Sequence, residues 1–198
     1  MTPPSAPSDD HATPLTPEEE TQLVPSFIKT RDELNRAEQQ AIAEAARVVF
    51  RRPSKTVPLL DAAYLLGLHR RMFGPVWKWA GKIRATERNI GVEPWRIRTD
   101  LQQLLDDTRA WVQYASYPPD EIAVRFHHRL VAIHCFDNGN GRHARLAADL
   151  LAIALGQAAF TWGAGDLAPM GEVRRSYIAA LQRADQHDYA SLLRFARG

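Results

Sequence analysis

The chain is poor in features that fix many proteins' class. It has one cysteine, Cys135, which excludes an internal disulfide and fits a reducing compartment, so a cytoplasmic location is expected. No apolar run approaches the length needed to cross a bilayer, and no membrane association is expected. The opening Met1-Thr2-Pro3-Pro4-Ser5 has neither a basic segment nor an apolar stretch, so no secretory leader is expected. A net charge of +2 gives too little field to hold nucleic acid. No internal repeat is visible. What remains is an ordinary globular composition, 45% hydrophobic and 24% charged, over 198 residues. That length suits one well-buried core and is short for two.

The order of apolar and punctuating residues predicts helices almost throughout. Residues 1–14 are Pro, Ser, Thr and Asp with little to bury, and read as a disordered tail ahead of one domain over 15–198. Thr16-Pro17-Glu18-Glu19 reads as a helix start, with a capping hydroxyl, Pro in the first turn and acids near the positive end of the dipole. A first long helix is expected from Thr30 to about Arg52, buried along Leu34, Ala37, Ala41, Ala45 and Val48. A second is expected over Leu59–Phe73. Between 74 and 98 the pattern breaks, and Ile83–Thr86 with Asn89–Val92 predicts a small β-hairpin. Thr99 or Asp100 should cap the next helix, and Pro118-Pro119-Asp120 should start the one after. Residues 141–155 are apolar on nearly every face, which marks a central buried helix stopped at Gly156. A closing helix with Tyr177 and Leu181 follows, then a short one with Leu192, Leu193 and Phe195. The expected fold is all-α, a helical bundle around the central helix with one hairpin.

One stretch carries chemistry: His134-Cys135-Phe136-Asp137-Asn138-Gly139-Asn140-Gly141-Arg142-His143-Ala144-Arg145. Glycines at the start of a helix let an anion approach backbone N–H groups, and the helix dipole adds favourable potential. Arg142 and Arg145, three apart, share a helix face and present forked donors suited to phosphates. His134 at the other lip is a side chain able to accept a proton near neutral pH. A plain helix–loop–helix corner explains each residue singly. It does not require the histidine and both arginines beside the glycines. The combination suggests phosphoryl or nucleotidyl transfer. A zinc site is not suggested, because His127, His128, His134 and His143 include no His-x-x-x-His pair.

The pattern His-x-Phe-x-x-Gly-Asn-Gly-Arg-x-x-Arg, matched by His134 to Arg145, resembles the signature of Fic-domain proteins. Weaker resemblance runs from about Leu15 to Phe195 and looks closest to the subgroup called mobile mystery protein B. The resemblance implies a Fic domain with an N-terminal helical extension. It also implies a protein adenylyltransferase, moving AMP from ATP onto a Ser, Thr or Tyr hydroxyl of a target protein. The alternative is a nucleotide-binding module with weak or no transfer, acting as a toxin-like or partner-bound protein. The mobile-element subgroup implies a small DNA-binding or antitoxin-like partner.

By the same resemblance, His134 is the general base and Arg142 and Arg145 hold the β- and γ-phosphates. Asn140 and the backbone of Gly139 and Gly141 receive the α-phosphate region. Asn138 stands where active members of the family carry Asp or Glu for Mg²⁺, and a neutral amide should bind that ion more weakly. Cys135 stands where Pro is usual. Ile83, Asn89, Ile90 and Gly91 fall on the flap where the family docks its target as an added strand. Many members are inhibited by a glutamate that pairs with the second motif arginine. The nearest match here is Leu34-Asn35-Arg36-Ala37-Glu38-Gln39, which lacks the usual hydroxyl and Gly/Asn. Two readings of Glu38 therefore stand, a solvated helix residue and a partner for Arg145.

Overall fold

Nine helices follow one another among the residues described by the computed structural model, which are 14–51, 56–164 and 170–198. The tail expected over 1–14 lies, except for Pro14, outside the described residues. Helix α1 (Pro17–Gln22) begins as expected. Thr16 Oγ1 accepts the Glu19 N–H while the Glu19 carboxylate accepts the Thr16 N–H at 3.0 Å, a complete capping box.

Helix α2 (Arg31–Arg51) buries Leu34, Glu38, Ala41 and Ala45. Leu34, Ala41 and Ala45 of the expected stripe are buried and Ala37 is partly so, but Glu38 also lies inside, and Val48 is 40% exposed. The stretch expected as one helix over 59–73 is divided into α3 (Thr56–Leu59) and α4 (Ala62–Phe73). Asp61 restarts the chain by accepting the Tyr64 N–H at 3.1 Å. Helix α5 (Ile97–Gln113) starts two to three residues before the expected cap, with Ile97, Leu101, Leu104, Leu105 and Thr108 buried at helical spacing.

Helices α6 (Pro119–Ile133) and α7 (Asn140–Ala154) form the centre. Ala144, Ala147, Ala148, Leu151 and Ala152 on α7 are fully buried. Four of these are alanines, so neighbouring backbones approach closely, and α7 packs on α6, α3 and α4. Each leucine buried this way contributes about 2 kcal/mol. Gly156, at φ 83, ends α7 where expected. Helices α8 (Met170–Asp185) and α9 (Ala190–Arg197) pack together and close the bundle against α6.

The all-α architecture is as expected, but the hairpin is not: residues 82–92 contain no strand. The reason is Arg84, whose side chain is buried and takes the carbonyl oxygens of Thr86 and Val92. The two arms are thus tied by a guanidinium in place of a ladder. Backbone bonds from Arg84 N to Cys135 O and from Val92 N to Ile133 O anchor this flap loop beside the motif.

Candidate active site

The turn between α6 and α7 is built from two left-handed residues. His134 terminates α6 at φ 56, and Gly139 precedes α7 at φ 77. At Gly139 only glycine fits, because a Cβ would collide with the Phe73 ring as well as strain the backbone. Phe136, between them, is buried and stacks on the His69 ring at 3.6 Å, so it anchors the loop.

Asn140 does not present its side chain to a ligand. Its Oδ1 accepts the Phe136 N–H at 2.9 Å and its Nδ2 donates to Phe136 O at 2.8 Å, and the residue is buried. The expected α-phosphate role is therefore corrected to a pin that fixes the loop. Gly141 is different. A Cβ there would meet nothing nearer than Tyr177 Oη at 3.8 Å, so the fold itself does not demand glycine.

His134 is half-buried. Burial, then the nearby charges of Arg84 and Arg88, hold its pKa below the ordinary histidine value, so it is a neutral imidazole at physiological pH. Cys135 is buried and its thiol is pushed up to about 12, so it is not a nucleophile.

Arg142 and Arg145 lie in different surroundings. Arg142 donates from Nη1 to Glu38 Oε2 at 2.7 Å, and its guanidinium sits 4.9 Å from the Phe73 ring centroid. Glu38 is 6% exposed and also accepts the Trp77 indole N–H at 2.6 Å. It is neither solvated nor paired with Arg145: the carboxylate from α2 occupies the first motif arginine. Arg145 lies over the Tyr177 ring at 4.5 Å, and its buried Nε has no hydrogen-bond partner among the described residues.

The proposed metal position fits Mg²⁺ poorly. Asn138 Oδ1 already accepts the Gly139 N–H at 2.7 Å, and the Asp137 carboxylate is engaged by Arg88 at 2.5 Å. Among the described residues no three His, Cys, Asp or Glu side chains gather to hold an ion. These residues do not make a Mg²⁺ site by themselves.

A cleft of about 1060 Å³ opens in front of the loop, with Glu38, Trp77, Arg88, Asp137, Asn138 and Arg142 among its walls. Of the expected flap residues, Asn89 and Ile90 are exposed. Gly91 is exposed too, although a Cβ on it would run into His134, and Ile83 is partly buried against the core.

Three residues escaped the sequence reading. His69 Nδ1 accepts the Gly81 N–H at 3.0 Å, so its Nε2 carries the proton and donates to Asn138 O at 3.1 Å. Burial pushes its pKa down to about 3, which keeps this tautomer neutral. Tyr177 bonds His127 Nε2 at 3.0 Å beneath Arg145, and Arg84 binds the motif backbone. All three lie far from the motif in sequence and carry no local signal.

Residues 59–152 match the model of the Fic/DOC family. Protein adenylyltransferase fic-1 of Caenorhabditis elegans is 32% identical over 141 residues, 66% of this chain and 25% of the relative. The chain thus spans about a quarter of the length of the curated relatives it matches. The solved structure of C. elegans Fic-1, residues 134 to 508, superposes with a TM-score of 0.65 at 26% identity, over 87% of this chain and 50% of that one. BepC, a VirB-translocated effector from Bartonella tribocorum solved with bound AMPPNP, superposes at 0.67 and 22% identity, over 88% and 89% of the two chains, a likeness of fold. Over residues 59–152, the chain carries a Fic/DOC-family domain.

Proposed function

We propose that this protein is an adenylyltransferase that moves AMP from ATP to a Ser, Thr or Tyr hydroxyl of a target protein. The observation that carries this reading is the arrangement of the turn. A neutral His134 closes α6, and six residues later α7 opens with an N-terminus whose first turn holds Gly141 and Arg142. The spare room at Gly141 suits a ligand approaching the backbone, since no packing requires glycine there. The fic-1 relatives, named protein adenylyltransferases, and BepC's AMPPNP support ATP as the nucleotide.

In this reading His134 accepts the proton of the target hydroxyl as its oxygen bonds to the α-phosphorus. The bond between the α-phosphorus and the α,β-bridging oxygen breaks, and pyrophosphate leaves with the electron pair. The amides at the start of α7 stabilise charge on the α-phosphate, while Arg142 and Arg145 neutralise the leaving pyrophosphate. Any Mg²⁺ would have to be held by the substrate's own phosphates, because the Asn138 and Asp137 side chains are already engaged. The target docks at the exposed part of the flap, around Asn89 and Ile90.

Glu38 favours a second statement about the same site: the resting enzyme is held off. ATP must displace the Glu38 carboxylate from Arg142 before its outer phosphates can bind there. Because this carboxylate belongs to the chain itself, silencing needs no second protein. An antitoxin-like partner and a toxin role remain part of the proposal on the mobile-element resemblance. So does a cytoplasmic location, which agrees with ATP as substrate and a reduced Cys135. We further propose that residues 15–198 act as one unit, with α1 and α2 as the extension that delivers Glu38.

The test is incubation of the protein with a cell lysate and ATP labelled at either the α- or the γ-phosphate. Transfer of α-label to protein is expected. Transfer of γ-label alone, or of neither label by the native chain and by its Glu38→Gln form, refutes AMP transfer.

A further inference from the structure

Arg84 is the one buried arginine or lysine among the described residues, at 2% exposure. Its guanidinium contacts are to main-chain carbonyls. Nε donates to His134 O at 2.7 Å, Nη1 to Thr86 O at 2.8 Å, and Nη2 to Val92 O. Its own N–H donates to Cys135 O at 3.0 Å. Gly91 completes the contact: a Cβ there would stand 2.5 Å from His134 Cβ and 2.9 Å from Arg84 Nη2. Flap, arginine and histidine are therefore packed without slack.

Burying a cation costs several kcal/mol, and a neutral side chain serves for an ordinary loop pin, as Asn140 does in the same turn. An arginine adds two things. Its planar fork reaches three carbonyls on separate segments at once, and its charge lies beside His134. One of those carbonyls belongs to His134 itself, in a left-handed conformation that is unfavourable for a residue with a side chain.

We propose that Arg84 is the positioning residue of the base, holding His134 in its left-handed conformation and tying it to the flap carbonyls of Thr86 and Val92. The inference rests on His134 being the base. It goes further in making the position of the base depend on the flap, the element expected to receive the target. Arg84 touches no reacting atom. It acts through His134, and its charge helps to keep that imidazole neutral, together with burial and Arg88, which is itself paired with Asp137.

The test uses the full chain with Arg84→Lys, Arg84→Gln and Gly91→Ala. Lysine keeps the charge but loses the fork, glutamine loses both, and Gly91→Ala presses on His134 from the flap side. Each should lower kcat for AMP transfer by about tenfold or more, the scale set by misplacing a catalytic group. KM and Kd for ATP should stay within about twofold, because the phosphate groups on α7 are untouched. NMR of the His134 ring gives a readout that needs no turnover. Its signals should shift in all three variants, and its titration midpoint should rise in Arg84→Gln. Unchanged His134 signals in variants that still bind ATP overturn the proposal, as does an equal change of kcat and KM. If neither the native chain nor its Glu38→Gln form transfers AMP, the transfer reading fails alone, and the His134 signals still decide the role of Arg84.

Discussion

Replacing Glu38 by Gln removes the charge that occupies Arg142 while keeping an oxygen for the Trp77 indole, which now sits 2.6 Å from Oε1. The remaining amide turns donors toward a donor, so the pair with Arg142 is lost. A hydrogen bond between charged partners contributes about 1.5–3 kcal/mol net. Arg142 is 38% exposed along its side chain, and solvent screening favours the lower part of that range. ATP no longer has to displace the carboxylate, so its affinity should rise by roughly 10- to 30-fold, at about 1.4 kcal/mol per tenfold. Stability should change in the opposite sense, with a small fall in the unfolding temperature, because a partly buried ion pair has been dissolved. Titration calorimetry with ATP beside a thermal melt reads both quantities. If Glu38→Gln binds ATP no more tightly than the native chain, Glu38 does not restrain the site and the pair is only a packing contact.

Asn138→Asp should keep the bond from the Gly139 amide and add the missing charge, so transfer should saturate at lower Mg²⁺ and slow when the ion is scarce. Rate against Mg²⁺ concentration for both proteins checks this, and a slower variant at every concentration counts against it. Acid should unfold the protein early. His69 and His127 are pushed down to about 3 and His143 to about 4 by burial, so the unfolded chain binds more protons as the pH falls below the ordinary histidine range. At pH 5 this costs about 2 kcal/mol per histidine. Asp149, pushed up to about 6 by burial, works the other way and offsets roughly 1 kcal/mol there. Denaturant melts at pH 7 and pH 5 should therefore differ by several kcal/mol, and equal stabilities would show that these imidazoles are not buried neutral.

The reading of the sequence succeeded where the cause is local. The Thr16 capping box, the stop at Gly156 and the twelve residues from His134 to Arg145 all carry their physics in neighbouring positions. It failed where a side chain reaches across the fold. Alternation in 82–92 suggested strands because nothing in it shows that Arg84 turns inward to collect carbonyls. The apolar stripe of α2 was legible, but the pattern does not show that Glu38 turns inward beside it to meet Arg142, a partner 104 residues away. Asn140 looked like a ligand for phosphate because a motif reports which residues recur together, not which of them are consumed by the loop. His69, far from the motif in sequence, holds the Asn138 carbonyl and has no signal at all in its own stretch of α4.

The most direct measurement is made in the Glu38→Gln background, where the site is expected to be free. His134→Ala should abolish transfer of α-labelled AMP to protein while ATP binding stays within about twofold, because the imidazole serves the attacking hydroxyl and not the phosphates. Transfer that survives His134→Ala, or ATP binding lost along with it, would contradict the assignment of His134 as the base.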